Sequence, residues 1–210
     1  MGIVYWMSDP HDGHKNIASF RGRYIPEVKC AETNREFIRK NWRAREDDKV
    51  IILGDCCFSQ ESALFFKSLP GRKELVLGNH DLENTNRPSV LQLADAFDKI
   101  CGVRSHTLGE RQVGCDTYPK EKVWLQHIPI HPQHLRGRRQ VHGHEHEWYK
   151  DHMTPGTPRH DQNYINVNLD VIWHRLGKIM ITTDELVQYS YGDLPWRKHT
   201  SPTPTSSPET

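Results

Sequence analysis

"KELVLGNHDLEN" occupies residues 73–84. Its apolar run, 75–77, stops at Gly78, and Asn79, His80 and Asp81 follow at once. A short apolar run bounded by glycine reads as a buried strand emptying into a loop. Taken alone, that loop is an ordinary glycine turn. "KVIILGDCCF" (49–58) repeats the arrangement, with an apolar run at 50–53, then Gly54 and Asp55. "IVYWMSDPHDGH" (3–14) gives it a third time: a strand over 3–7 leads to Asp9 and His11, and Pro10 biases Asp9 away from helical dihedrals.

Helical stretches lie between these strands. "AETNREFIRKNWRAR" (31–45) spaces Phe37, Ile38 and Trp42 along one face and covers the other with charge. "ESALFFKSL" (61–69) reads as a helix stopped by Pro70 and Gly71, and a weaker helix covers 88–97. Such alternation predicts an α/β fold. Beyond residue 103 the pattern changes, and 103–113, 122–128, 138–142, 164–172 and 178–182 read as short strands separated by glycine or proline. Two of them also end in imidazoles. "KVWLQ" runs into His127, and "RRQV" runs into "HGHEH", with His142, His144 and His146. If that stretch is extended, its three rings share one face. From residue 193 the chain is rich in Pro, Ser and Thr, which predicts a domain over 1–192 and a flexible tail over 193–210.

The 210 residues suit one domain with a sizeable core. A hydrophobic fraction of 35% and a mean hydropathy of −0.77 suit a well-solvated surface. No apolar run approaches the roughly 20 residues needed to cross a bilayer. A formal net charge of +1 gives no strong bias toward nucleic acid or acidic membranes. The opening "MGIVYWMSD" lacks the basic and apolar regions of a secretion signal, and Trp6 stands where a myristoylation signal needs Ser or Thr. Five cysteines, with Cys56 and Cys57 adjacent and no CxxC, read as reduced thiols in a cytoplasmic setting, the host cytoplasm for a phage-encoded chain. Fourteen histidines matter because neutral imidazole is the commonest protein metal ligand.

Each fragment has a bland reading: Asp-x-His arises by chance, Gly-Asp is a turn, and "HGHEH" could be a surface cluster. Jointly they say more. Ligands of open α/β sheets bind at the carboxyl ends of strands, and five candidate strand ends in order deliver metal-ligating side chains. The ordered set D-x-H, G-D, G-N-H-D, a lone H and G-H-x-H resembles the signature of the calcineurin-like metallophosphoesterase superfamily, over residues 9–146, about two-thirds of the chain. "SDPHDGHKNI" is similar to the opening of its small capless bacterial and phage members.

That resemblance implies a two-sheet mixed β-sandwich flanked by helices, with two divalent metal ions at one edge. Manganese is the favoured ion; iron, zinc, nickel and cobalt are alternatives. Asp9, His11 and His146 would hold one ion, Asn79, His127 and His144 the other, and Asp55 would bridge them. The implied reaction is hydrolysis of a phosphoester by a metal-bridging hydroxide, because divalent ions bring the pKa of water toward about 7. His80 would stabilise or protonate the leaving oxygen, and Asp81 would fix its tautomer. His14 and His142 would support ligands rather than bind metal. Pro10, Asp12, Cys56 and Cys57 depart from the usual pattern without removing a ligand; burial is the reading for the two thiols.

Substrate contacts are expected from the flanks. Arg136, Arg138 or Arg139 of "LRGRRQ" could fork onto a phosphate, and Trp148, in the irregular stretch 147–163, could stack on a base. With no room for a cap domain the centre should be open, favouring phosphodiesters or nucleotides, cyclic nucleotides included, over enclosed monoesters. Two rivals stand beside this reading. A metallo-β-lactamase-like hydrolase has an H-x-H-x-D-H motif, but here His146 takes the aspartate's place and the motif comes late. A catalytically silent scaffold would have kept the fold while losing ligands, and none is lost.

Overall fold

The first three apolar runs form adjacent parallel strands. In the computed structural model, which describes residues 2–83, 86–146 and 163–192, they are β1 (Val4–Met7), β2 (Lys49–Ile52) and β3 (Arg72–Val76). β4 (Lys99–Cys101) extends the sheet in parallel beyond β3, and β11 (Ile181–Thr182) closes the other edge antiparallel to β1. The second sheet runs β10 (Tyr164–Asn166), β9 (Gln140–His142), β8 (Glu121–Leu125), β5 (Arg104–Leu108), parallel except for the β8–β5 pair. A hairpin of β6 (Arg111–Val113) and β7 (Asp116–Tyr118) stands apart.

Both faces of the first sheet are covered, which is why its strands read as continuous apolar runs. Tyr5, Met7, Val50, Ile52 and Leu75 pack with Phe37 and Ile38 of α2 (Ala31–Asn41), Phe65 and Phe66 of α3 (Gln60–Ser68) and Leu93 of α4 (Val90–Ala96). Trp6, Ile51, Leu53 and Val76, one residue out of phase, pack with Val123, Leu125, Val141 and Ile165 of the second sheet. The fold is thus mixed α/β, with helices on one face of the first sheet and the second sheet on the other. Short helices α1 (Ile17–Phe20), continued by a 3-10 turn over Arg21–Arg23, and α5 (Pro132–Leu135) sit in the connections.

Three sequence expectations need correction. The helix read over 31–45 ends at Asn41, because Trp42 turns extended (φ −68°, ψ 125°) and its indole N–H donates to the Pro70 carbonyl at 3.1 Å. The strand read over 164–172 is strand only to Asn166. Asn168 then caps α6 (Leu169–Leu176) by accepting the Asp170 N–H at 2.8 Å. In the last segment only Ile181 and Thr182 are strand, and α7 (Thr183–Tyr191) follows, capped by the Thr182 hydroxyl on the Glu185 N–H at 3.2 Å. The proposed tail, 193–210, lies outside the described residues. Among those described, no helix is long and apolar enough to cross a membrane.

Candidate metal centre

Every candidate ligand lies just past the carboxyl end of a strand: Asp9 and His11 after β1, Asp55 after β2, Asn79 after β3, His127 after β8, His144 and His146 after β9. The turns that bring them together are strained. Five described non-glycine residues have positive φ, and four of them are candidate ligands: Asp9 (57°), His11 (51°), Asp55 (50°) and His144 (67°). Each such residue costs about 1–3 kcal/mol and persists only where the surroundings impose it. Two glycines let the turns close: a Cβ on Gly78 would overlap the Asp55 carboxylate, and one on Gly143 would overlap that of Asp9.

The side chains converge in two groups, Asp9–His11–His146 and Asp55–His127–His144, the ligand atoms of each lying within 4.8 Å of one another. Asp9 Oδ1 is 3.5 Å from His11 Nε2 and 3.4 Å from His146 Nε2. Asp55 Oδ2 is 3.3 Å from His127 Nε2 and 3.8 Å from His11 Nε2, so it stands between the groups. Buried polar atoms are normally hydrogen-bonded. Here Asp9 Oδ1, His11 Nε2 and His127 Nε2 are buried without any hydrogen-bond partner. Orphaned nitrogen and oxygen ligand atoms turned toward one space fit metal ions, and a set without thiolate suits manganese, iron, cobalt, nickel or zinc.

The outer partners aim the rings. His127 Nδ1 lies 2.6 Å from the Leu53 carbonyl, a contact that requires an N–H there and leaves Nε2 facing inward. His146 Nδ1 lies 2.7 Å from Asp170 Oδ2. Asp170, on α6, is held in turn by Arg21 Nε at 2.6 Å. Arg21 is fully buried and donates to the carbonyls of Asp9 (2.7 Å) and Pro10 (2.8 Å) and to Asn34 Oδ1 (2.8 Å). One guanidinium therefore ties the turn after β1 to the support of His146. Asp9 Oδ2 accepts the His144 N–H at 2.9 Å, joining that turn to the one after β9.

The electrostatics follow. Burial works against charge on His127, yet the Asp55 and Asp9 carboxylates overcome it and hold its pKa at about 8. Burial is likewise outweighed at His146, where Asp170 and Asp9 hold the ring at about 10. Burial would raise Asp9, but the His11 and His146 rings beside its carboxylate keep it well below the usual carboxylate range. Burial dominates at His11 and brings it down to about 4.

The loop after β3 corrects one expectation. Asp81 does not touch His80. It is fully buried and accepts four backbone N–H groups: Gly78 (2.8 Å), Asp55 (3.0 Å), Cys56 (2.8 Å) and Cys57 (3.1 Å). The partner of His80 Nδ1 is Glu83 Oε2 at 2.6 Å, and Arg87 reaches the same oxygen at 3.4 Å. The spacing decides this: Asp81 turns inward to join two loops, and the next acidic residue is the one free to reach the ring. His80 Nε2 lies 4.0 Å from Asp55 Oδ2, and its N–H donates to Asp55 Oδ1 at 2.9 Å. Asn79 is exposed, its backbone flanked by these contacts to Asp55.

Two of the three arginines have partners of their own. Arg139 pairs with Glu121 (Nε to Oε2 2.9 Å), Arg138 lies over the Trp124 ring at 4.6 Å, and Arg136 takes the left-handed position ending α5. None lines the cavity at the centre. Packing against β8 takes up Arg138 and Arg139, and Arg136 is exposed. Trp148 lies outside the described residues. "HGHEH" does not present one face, because the left-handed turn at His144 sends His144 and His146 to different groups, while His142 stays buried with Nδ1 2.8 Å from the Gly143 carbonyl. His14 packs beside His11 and Phe58, with ring centroids 5.8 and 4.7 Å away. Asp12 is taken up by Arg35 at 2.7 Å, and the Cys56 and Cys57 thiols are buried, which pushes both pKa values up.

Sequence reading missed Arg21, Asp170 and Glu83. Glu83 was within reach, since it lies three residues from His80. Arg21 and Asp170 are 149 residues apart, and no local pattern joins them.

No family model matches the chain. The Gene 66 protein of Mycobacterium phage D29 is 30% identical to it over 196 residues, covering 84% of this chain and 92% of that protein. The crystal structure of the protein of unknown function AQ665 from Aquifex aeolicus superposes with a TM-score of 0.60 at 23% identity, over 90% of this chain and 100% of that one. At that identity the likeness concerns the fold. Similarity to the phage protein over most of both lengths is decisive for kinship: the chain belongs to the family of the Gene 66 protein of phage D29.

Proposed function

We propose that the protein is a binuclear-metal phosphoesterase of the calcineurin-like type, acting on phosphodiesters or nucleotides. The observation that carries this reading is the placement of Asp55 Oδ2 between two Asp/His groups whose buried Asp9 Oδ1, His11 Nε2 and His127 Nε2 have no other partner. Asp9, His11 and His146 would hold one divalent ion, His127, His144 and Asn79 the other, and Asp55 both. When bound, the ions, manganese foremost, supply Lewis acidity and an ionised water at neutral pH.

The rest falls to the chain. Asp9 and Asp55 offset part of the metal charge while the imidazoles and Asn79 add none, so the centre stays cationic enough to draw in a phosphoryl oxygen. His80 stands at the cavity wall with a third of its side chain exposed (35%), placed to protonate or stabilise the leaving oxygen. Glu83 on Nδ1 fixes which nitrogen faces that oxygen. The test is metal analysis of the purified protein with turnover of bis-p-nitrophenyl phosphate and p-nitrophenyl phosphate under Mn²⁺, Zn²⁺, Co²⁺ and Ni²⁺. About two ions per chain and metal-dependent turnover are expected. A protein that binds the ions but hydrolyses neither ester would reject the enzyme reading and favour a silent scaffold.

A further inference from the structure

The cavity over the two Asp/His groups has a volume of about 490 Å³, ample for far more than a phosphate group. Its floor is polar: His11, Asp55, His144 and His146. One wall is not. It is built by α1 and the 3-10 turn, which present Phe20 and Tyr24, with Arg23 beside them. Phe20 is 61% exposed and Tyr24 43%, high values for aromatic side chains lining a cavity.

The reason lies on the other side of the same turn. Arg21 and Ile25, four residues apart, are buried, and Arg21 fastens the turn to the Asp9 and Pro10 carbonyls and to Asp170. With Arg21 and Ile25 directed inward, Phe20, Arg23 and Tyr24 are directed at the cavity. Because the clamp of Arg21 holds the turn from beneath, the rings need little ordering on binding, which favours affinity. Arg23 lines the cavity beside the two rings and makes no ion pair with any described residue.

We infer that this wall is a nucleobase subsite. A substrate phosphoryl group on the Asp/His floor would place an attached nucleoside along the wall, with its base stacked on Phe20 and Tyr24 and its edge or face against Arg23. This rests on the phosphoesterase reading for the position of the phosphoryl group, and names the substrate class as nucleoside phosphoesters. A simple alkyl phosphate on the Asp/His floor would leave the exposed Phe20 ring and the Arg23 beside it untouched.

The test separates the base from the phosphate and needs no turnover. Binding of the non-hydrolysable 5′-methylenephosphonate analogue of AMP and of the corresponding ribose phosphonate is measured by isothermal titration calorimetry, with and without Mn²⁺. Stacking on an aromatic ring predicts a preference for the nucleotide analogue of roughly 5- to 150-fold. Phe20→Ala with Tyr24→Ala should bring that preference close to one while leaving the ribose phosphonate affinity and the melting temperature unchanged. Phe20→Trp alone should keep or raise it. Equal binding of the two analogues to the wild type would overturn the inference. So would a double variant that keeps the preference, or one that loses it only by melting earlier, which would make the wall internal packing. Base preference without hydrolysis of any phosphoester would sink the phosphoesterase reading alone; hydrolysis without base preference would sink the subsite alone.

Discussion

Asp81→Asn exchanges one oxygen for an amino group at a carboxylate that accepts four backbone N–H groups while fully buried. Asn Oδ1 can keep the two donors of the original Oδ1, Cys56 and Cys57. The new amino group then faces the N–H groups of Gly78 and Asp55, donor against donor. Two buried donors left unpaired cost about 1–3 kcal/mol each, about 4 kcal/mol together. A domain of this size is stable by about 5–15 kcal/mol, so the variant should fold but melt about 8–16 °C lower. Urea denaturation of the metal-free wild type and variant measures the difference directly. The same change loosens the join between the loops carrying Asp55 and His80, so metal affinity should fall in parallel. The leaving-group dependence of any turnover should not change, since Glu83 rather than Asp81 touches the ring. A variant within 1 kcal/mol of wild type, or one that keeps stability but loses leaving-group assistance, would refute the clamp.

Asp55→Asn should lose more metal than any other single ligand substitution, read as metal content per chain after gel filtration; full occupancy would show that Asp55 serves at most one ion. His80→Ala should keep its metal and lose about 10²–10⁴ in kcat for nucleoside esters but far less for p-nitrophenyl esters, whose leaving group needs no proton. Equal losses on both would leave His80 a positioning role. Arg21→Met leaves Asp170 with His146 alone and the Asp9 and Pro10 carbonyls without their donor, and should cost about 3–5 kcal/mol by denaturation, whereas a cost under 1 kcal/mol would deny the clamp of the turn after β1. Finally, metal must displace protons from His127 (about 8) and His146 (about 10), so affinity should rise with pH from 7 to 10, and calorimetry at pH 7 in buffers of different ionisation enthalpy should show release of about two protons from these rings, plus one more from a water ionised by the metal. The metal-free protein should behave oppositely: both pKa values lie above the ordinary 6.5, so their stabilisation is complete below about pH 6.5 and is lost as pH rises through about 8 and then about 10. Metal affinity independent of pH over that range would contradict the assignment of these rings.

The sequence carried the strand ends well because each is a local event: an apolar run, a glycine and a ligand within a few residues, as at Leu53, Gly54 and Asp55. The α/β class followed from the same alternation. What stayed hidden depends on distance. Val171 and Ile172 looked like strand because they are β-branched, and only the cap at Asn168 and the burial of Leu169 and Ile172 make them helix. Asp81 appeared to belong to His80 by adjacency, yet its four donors come from two separate loops. The arginines at 136, 138 and 139 looked available until Trp124 and Glu121, brought alongside by sheet pairing, took up two of them.

Each Asp/His group draws on both sheets. Asp9, His11 and Asp55 hang from the first, while His127, His144 and His146 hang from the second. Neither triplet is complete until the sheets have docked, so a cation bound there would be a fastener that only the finished molecule can close. It should slow the parting of the sheets while doing little to hasten their meeting, so metal would lengthen the lifetime of the native chain more than it speeds its folding.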